Sequence, residues 1–203
     1  MDFVKLNKTR HAVKHFDGTK IPTVDVKQII SAAALAPSAH DIQSWHFVIL
    51  ESEEKRKALL EVVKGQNIKQ IEEAGAVVML FSDTDLASLS KEIAAEAGDE
   101  LPEEMLNRFN ERYPQMFAGY DAEYTSRYLS LNAGLVALNF MYAVYNHGLY
   151  GNFIQGFERT DRVNEILEVD KRYRPELILT LGNSEFHGAA SYRLPQDKIF
   201  EIK

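Results

Sequence analysis

Cysteine is absent from this chain of 203 residues. Disulfides, thiolate zinc sites, iron–sulfur clusters and cysteine nucleophiles are therefore excluded. Positive charge is in deficit, with 23 Lys and Arg against 30 Asp and Glu: the formal net charge of −7 argues against a nonspecific nucleic-acid surface. The opening stretch MDFVKLNKTR has no apolar signal core and no cleavage site. The Asn7-Lys8-Thr9 sequon then reads as accidental, and a cytoplasmic protein is expected. The longest apolar region, YLSLNAGLVALNFMYAVYNHGLYG, is interrupted by Asn132, Asn139 and Asn146, and Arg127 lies just before it. No run of about 18 residues is free of polar groups, so a central core helix is expected rather than a membrane span.

Familiar chemical motifs are missing as well. GxGxxG and GxxxxGK[ST] do not occur, which leaves dinucleotide-fold and P-loop readings without an anchor. Neither HExxH nor GxSxG occurs. Asp83 and Asp85 begin like a calcium loop, but Leu-Ala-Ser follows where ligands and a glycine are needed. Only His11 and His15 have the i, i+4 spacing of a helical metal pair. No third ligand accompanies them, so a solvated face is favoured and no metal is expected.

What remains is ordinary in amount and specific in order. Hydrophobic residues make up 45% and charged residues 26%, the balance of a globular domain. The length fits one domain spanning 1–203. Helical character is expected from Asp2 to His15, with a turn at Phe16-Asp17-Gly18. Thr23 is placed as an N-cap, and Val26, Ile29, Ile30, Ala33 and Ala34 form one buried helical face ending before Pro37. HFVILE (46–51) reads as a short strand, and Trp45 and Phe47 as core residues. Ser52 caps a helix over Glu53–Lys64. AVVMLFS (76–82) and ELILTLG (176–182) read as strands covered on both faces. Helices are expected at 86–97, 102–112 and from about Glu123 to Asn146, with GNFIQGF as a strand and Thr160 capping a helix to Glu168. The tail from Gly188 is too poor in apolar residues to fold alone. A layered α+β or α/β domain follows.

Two stretches carry candidate chemistry. In TRHAVKHFD (9–17), Arg10 and Lys14 would share one helix face at i, i+4. Such a pair is either solvated or neutralised by an anion; an arginine fork and a mobile lysine suit a phosphate. Arg193 is the one charged residue of the tail stretch SYRLPQ. In APSAHDIQSWHF (36–47), Ser38, Asp41 and Gln43 offer polar groups from a loop fixed between a helix and a strand. That is either a self-capping connection or a small-ligand site.

Taken in order, RHAVKHFD, APSAHDIQSWHF, GNFIQGFERTDRVNEIL, LILTLGNSE and RLPQDK make the chain resemble the nitroreductase family of FMN-dependent oxidoreductases over essentially its whole length. The resemblance implies a nitroreductase-like α+β fold with a central mixed or antiparallel sheet flanked by helices. It implies an intertwined homodimer with FMN at the interface and the arm 188–203 swapped onto the partner. It implies that Arg10 and Arg193 reach the FMN phosphate, that His11 and Ala12 contact the ribityl chain, and that Lys14 approaches the pyrimidine edge. Pro37, Ser38, Ala39, Asp41 and Gln43 would line the flavin from the partner subunit. Asn67 and Gln70 in GQNIKQ would hydrogen-bond the ring or ribityl. Phe153, Ile154, Gln155 and Gly156 would pack on the face opposite the substrate, with a backbone N–H near N5.

NAD(P)H is the implied co-substrate and a nitroaromatic, a quinone or a related small molecule the implied acceptor. No side-chain acid or base is required, so no catalytic residue is assigned. Specialised flavin chemistry and a non-catalytic flavin-binding dimer are the alternatives. Several positions depart from the family's usual residues. Ala12 stands where serine is usual, Asp41 where asparagine is usual, and Gln70 and Gln155 where lysine and glutamate occur. Ser191 replaces a second tail cation.

Overall fold

The structure is a computed structural model that describes residues 2–203. At its centre is a four-stranded sheet of order β1-β2-β4-β3, built from β1 (Trp45–Ile49), β2 (Ala76–Asp83), β3 (Tyr150–Ile154) and β4 (Tyr173–Gly182). Every pairing is antiparallel, so the sheet is antiparallel rather than mixed. Strand β2 is buried along its whole length. Its run of Val77, Val78, Met79, Leu80 and Phe81 suits a strand packed on both faces, where no polar alternation is needed.

Nine α-helices surround the sheet among the described residues: α1 (Phe3–Thr9), α2 (Thr23–Ala33), α3 (Glu53–Leu59), α4 (Asn67–Glu73), α5 (Leu86–Ala97), α6 (Glu103–Asn107), α7 (Tyr113–Ala118), α8 (Ala122–Asn146) and α9 (Asp161–Leu167). Helices α2 and α8 cover one sheet face, with Ile29, Val136, Phe140 and Val144 against Val78 and Leu80. Leu59, Ile71, Val163 and Ile166 cover the other face against Val77, Met79 and Phe81. Each such fully buried side chain is worth roughly 1.5–3 kcal/mol relative to exposure. A third cluster around Phe109, Tyr113 and Phe117 joins α5 and α7 to the N-terminal half of α8. Helix α8 is long and apolar enough to cross a membrane, but most of that apolar window is buried within the protein.

The first helix is shorter than its sequence suggests. Asp2 caps it by accepting from Val4 N–H, and it ends at Thr9; Arg10 is already extended at φ −70°, ψ 115°. Pro22, not Thr23, occupies the N-cap of α2, and the Thr23 hydroxyl donates to Glu51 instead. Ser52 does cap α3, accepting from Lys55 N–H at 3.3 Å, but α3 gives way to a 3-10 turn at Leu60. Thr160 makes no side-chain cap. Helix α4 and the π-helical turn 108–112 between α6 and α7 were not expected.

Candidate functional site

The site is assembled from a non-helical N-terminal segment, helix α4, the end of β3 and the tail. Residues 10–15 are not helical, so Arg10 and Lys14 do not share a helix face, and neither do His11 and His15. The reason is tertiary. Tyr145 of α8 accepts from His11 N–H at 3.1 Å and donates its hydroxyl to His11 C=O at 2.7 Å. Val13 N–H donates to Gly151 C=O at 3.1 Å, and the Val13 side chain is fully buried. With Val13 turned inward, its neighbours Ala12 and Lys14 are exposed, and so is His15. Burial holds the Tyr145 hydroxyl above the ordinary tyrosine range, against the opposing pulls of its His11 hydrogen bond and Arg10.

Arg10, His11, Ser191 and Arg193 line one cavity of about 640 Å³ together with Tyr142 and Leu138. The two ends of the chain thus meet there. Arg10, Lys14 and Arg193 have no carboxylate within ion-pair distance among the described residues. His11 Nδ1 is buried with no hydrogen-bond partner. Unpaired cations beside an unsatisfied buried donor or acceptor suit an anionic ligand group.

A second cavity, of about 330 Å³, is lined by Lys14, His15, Gln66, Asn67, Lys69 and Gln70. Helix α4 supplies Asn67, Lys69 and Gln70. Gln70 is buried; its amide donates to Thr180 Oγ1 at 2.6 Å and accepts from Asn152 Nδ2 at 3.1 Å. One N–H and one lone pair remain for a ligand. Asn67 lies against Gly156, where an added Cβ would sit 2.4 Å from Asn67 Nδ2. Lys64 N–H donates to Gly156 C=O at 2.9 Å and fixes this corner. Ile154 is a core residue and Phe153 packs against the core, whereas Gln155 is exposed. Asn152, Thr180 and Tyr145 had no distinguishing mark in sequence.

The loop after α2 lies elsewhere. Its backbone is strained, with φ of 58° at His40, 53° at Asp41 and 44° at Gln43. Ala39 is clamped on both sides: its N–H donates to Asn132 Oδ1 at 2.9 Å, and its C=O accepts from Tyr128 Oη at 2.6 Å. Ser38 Oγ accepts from Gln43 N–H at 3.0 Å. Pro37, Ser38, Ala39, Asp41 and Gln43 line neither of the two cavities. Tyr128 and Tyr145 both stand on α8, and at 1.5 Å per residue they are about 25 Å apart along its axis.

The sequence profile of the Nitroreductase family matches residues 8–183. The chain belongs to the nitroreductase family. A candidate NAD(P)H nitroreductase of Streptococcus pyogenes is 40% identical over 201 residues, covering 99% of each chain. The crystal structure of a nitroreductase family protein from Streptococcus pneumoniae superposes with a TM-score of 0.94 at 42% identity, covering 100% of both chains. A candidate nitroreductase from Exiguobacterium sibiricum, solved in complex with FMN, gives 0.91 at 29% identity, covering 100% of this chain and 98% of its own. Membership places the chain among NAD(P)H-dependent flavin oxidoreductases, so it is an enzyme. The two cavities fit a flavin nucleotide in kind: paired arginines for a phosphate, and amides with a lysine for a polar ring edge.

Proposed function

We propose that this nitroreductase binds FMN between two copies of the chain and uses NAD(P)H to reduce nitroaromatics, quinones or related acceptors. The observation that carries the reading is that Arg10 and Arg193, without carboxylate partners among the described residues, line one cavity, while Lys14, Asn67 and Gln70 line a second. FMN, when bound, would supply hydride transfer through N5, first from NAD(P)H and then to the acceptor in a ping-pong cycle.

The chain supplies binding, orientation and charge. Arg10 and Arg193 would hold the phosphate. His11 and Ala12 would contact the ribityl chain, with the buried His11 Nδ1 as an available hydrogen-bonding group. Lys14 would stabilise negative charge at the pyrimidine edge. Asn67, Gln70 and the Gln155–Gly156 backbone would orient the ring. No acid or base side chain is needed, so none is assigned as a catalytic residue.

Dimerisation is proposed on three grounds. A single flavin cannot touch both the Arg10 segment and the Ser38 loop of one chain if they are held about 25 Å apart; the loop would therefore serve the partner's flavin. Helix α8 also exposes Leu131, Leu135 and Leu138, an apolar stripe with helical spacing. Beyond Arg193, Leu194, Ile199, Phe200 and Ile202 are all exposed, which suits an arm that packs on a second subunit. Within this chain Ser191 and Arg193 stay beside the chain's own Arg10, so the part of the arm 188–203 proposed to cross begins after them.

The test is anaerobic. The protein should purify with FMN or take up one per subunit. NADH or NADPH should bleach its blue absorption band, and a nitroaromatic should restore it. A band that neither nicotinamide nucleotide bleaches overturns the reading.

A further inference from the structure

The amide-lined cavity carries more positive charge than the flavin assignment uses. Its lining is Lys14, His15, Gln66, Asn67, Lys69 and Gln70, with no carboxylate and no apolar side chain. This is unusual for a small-molecule cleft, which is mostly apolar, and more so on a chain of net charge −7. The residues form a gradient. Gln70 is buried and Asn67 partly buried, while the side chains of Lys69 and His15 are 68% and 64% exposed. Glu73 stands behind them: Oε1 is 3.3 Å from Lys69 Nζ and Oε2 is 3.4 Å from His15 Nδ1. Its carboxylate ties both groups to one edge of the cavity and neutralises one positive charge. Lys14 has no carboxylate partner among the described residues.

We infer that Lys69 and His15, held by Glu73, form an anion-selecting rim at the mouth of this cavity, so that the enzyme prefers acceptors bearing a carboxylate. The inference rests on the flavin reading for the word acceptor, but the rim itself consists only of residues of this chain. Lys69 is the specificity-determining residue. It lines the cavity, and its exposed ion pair with Glu73 is worth little on its own, so an incoming carboxylate can take it over. Gln66, which the flavin reading leaves unused, supplies an amide donor beside it. A neutral acceptor of the same shape gains nothing from the ammonium groups.

Calorimetric titration of the FMN-loaded protein with benzoate, and with benzamide as its uncharged counterpart, tests the rim without turnover. The wild type should bind benzoate roughly tenfold more tightly than benzamide, as expected for one or two partly exposed charges. Lys69→Gln should cut that preference to about twofold with little change for benzamide, and Lys69→Arg should retain it. Glu73→Gln, which removes the built-in counter-ion, should widen it. Equal affinity for the two ligands in the wild type, or a preference that survives in Lys69→Gln, overturns the inference. Visible absorbance before each titration reports flavin content separately. A protein that takes up no FMN fails the flavin reading. The benzoate preference of that flavin-free protein, and its loss in Lys69→Gln, then still decide the rim.

Discussion

Two backbone segments of this molecule are held by the same device at opposite ends of one helix. Tyr145 of α8 grips both backbone groups of His11; Tyr128, with Asn132, grips both backbone groups of Ala39. The segments differ in what else supports them. Residues 10–15 have negative φ, a buried Val13 and a backbone hydrogen bond to Gly151 of β3. The Ser38 loop has three residues with positive φ, and its clamps come from two side chains of one helix. The first segment is an extension of the core that carries cations outward. The second is a strained projection whose shape depends on α8. A part that rests on its own sheet can serve its own chain's ligand, whereas a strained projection pre-shaped at the far end of α8 suits presentation to a neighbour.

The largest expected effect tests this division of labour. Arg10→Ala removes a charged partner worth about 2–3 kcal/mol and should weaken FMN binding about 100-fold. Asn132→Leu should damage the loop instead. A mixed dimer of one Arg10→Ala chain and one Asn132→Leu chain then separates the geometries. If the loop serves the partner, one site inherits both intact parts and binds FMN at wild-type affinity, while the other binds hardly any. Two equally weakened sites in a flavin titration would break the comparison.

Asn132→Leu alone comes next. It leaves the Ala39 N–H without its acceptor inside the protein, a cost of about 2 kcal/mol. Thermal unfolding of the homodimer should move down by about 4–8 °C. Arg193→Ala should show the opposite profile, with weak FMN binding and an unchanged melting temperature of the flavin-free protein, because Arg193 is exposed and donates only to the Tyr192 carbonyl.

The tyrosines themselves should give smaller effects, about 1 kcal/mol each for Tyr145→Phe and Tyr128→Phe. Tyr145→Phe should weaken FMN binding through Arg10 and His11 on the same chain. Tyr128→Phe should act through the loop and so follow Asn132→Leu in the mixed-dimer experiment.

The smallest effect is on pH. Burial raises the pKa of both hydroxyls above that of an unfolded tyrosine, which titrates near 10. The unfolded chain therefore loses these protons first. Their contribution to stability is whole below about pH 10 and falls as pH rises toward the folded values. Denaturant titrations at rising alkaline pH should show this loss, and the Tyr128→Phe/Tyr145→Phe double variant should show less of it.

Much of the frame was legible in the sequence because burial leaves a strong pattern there. AVVMLFS is continuously apolar and became the central strand; the 25-residue α8 followed from a long apolar run with Gly148 as its stop. Helix α4 was not legible, since its seven residues carry only Ile68 and Ile71 as apolar markers. The π-helical turn at 108–112 left no mark either. At the site, Arg10, Lys14, Asn67 and Arg193 could be singled out as charges and amides in recognisable motifs. Tyr145 could not, because its partner His11 lies 134 positions away. Asn152 and Thr180 looked like ordinary strand residues until Gln70 was seen between them.

By itself, the sequence determined which chemistries are closed to this protein, since a chain without cysteine cannot make a thiolate site. It also determined which segments must be interior, because long apolar runs have no stable alternative in water. Only the tertiary structure decided that residues 10–15 are not helical. Local preference differs there by tenths of a kcal/mol per residue, less than the combined effect of burying Val13 and of the hydrogen bonds made with Tyr145 and with the Gly151 carbonyl. The same choice left Lys14 exposed beside α4 and Arg10 lining one cavity with Arg193, a meeting of the two ends of the chain that no local pattern encodes.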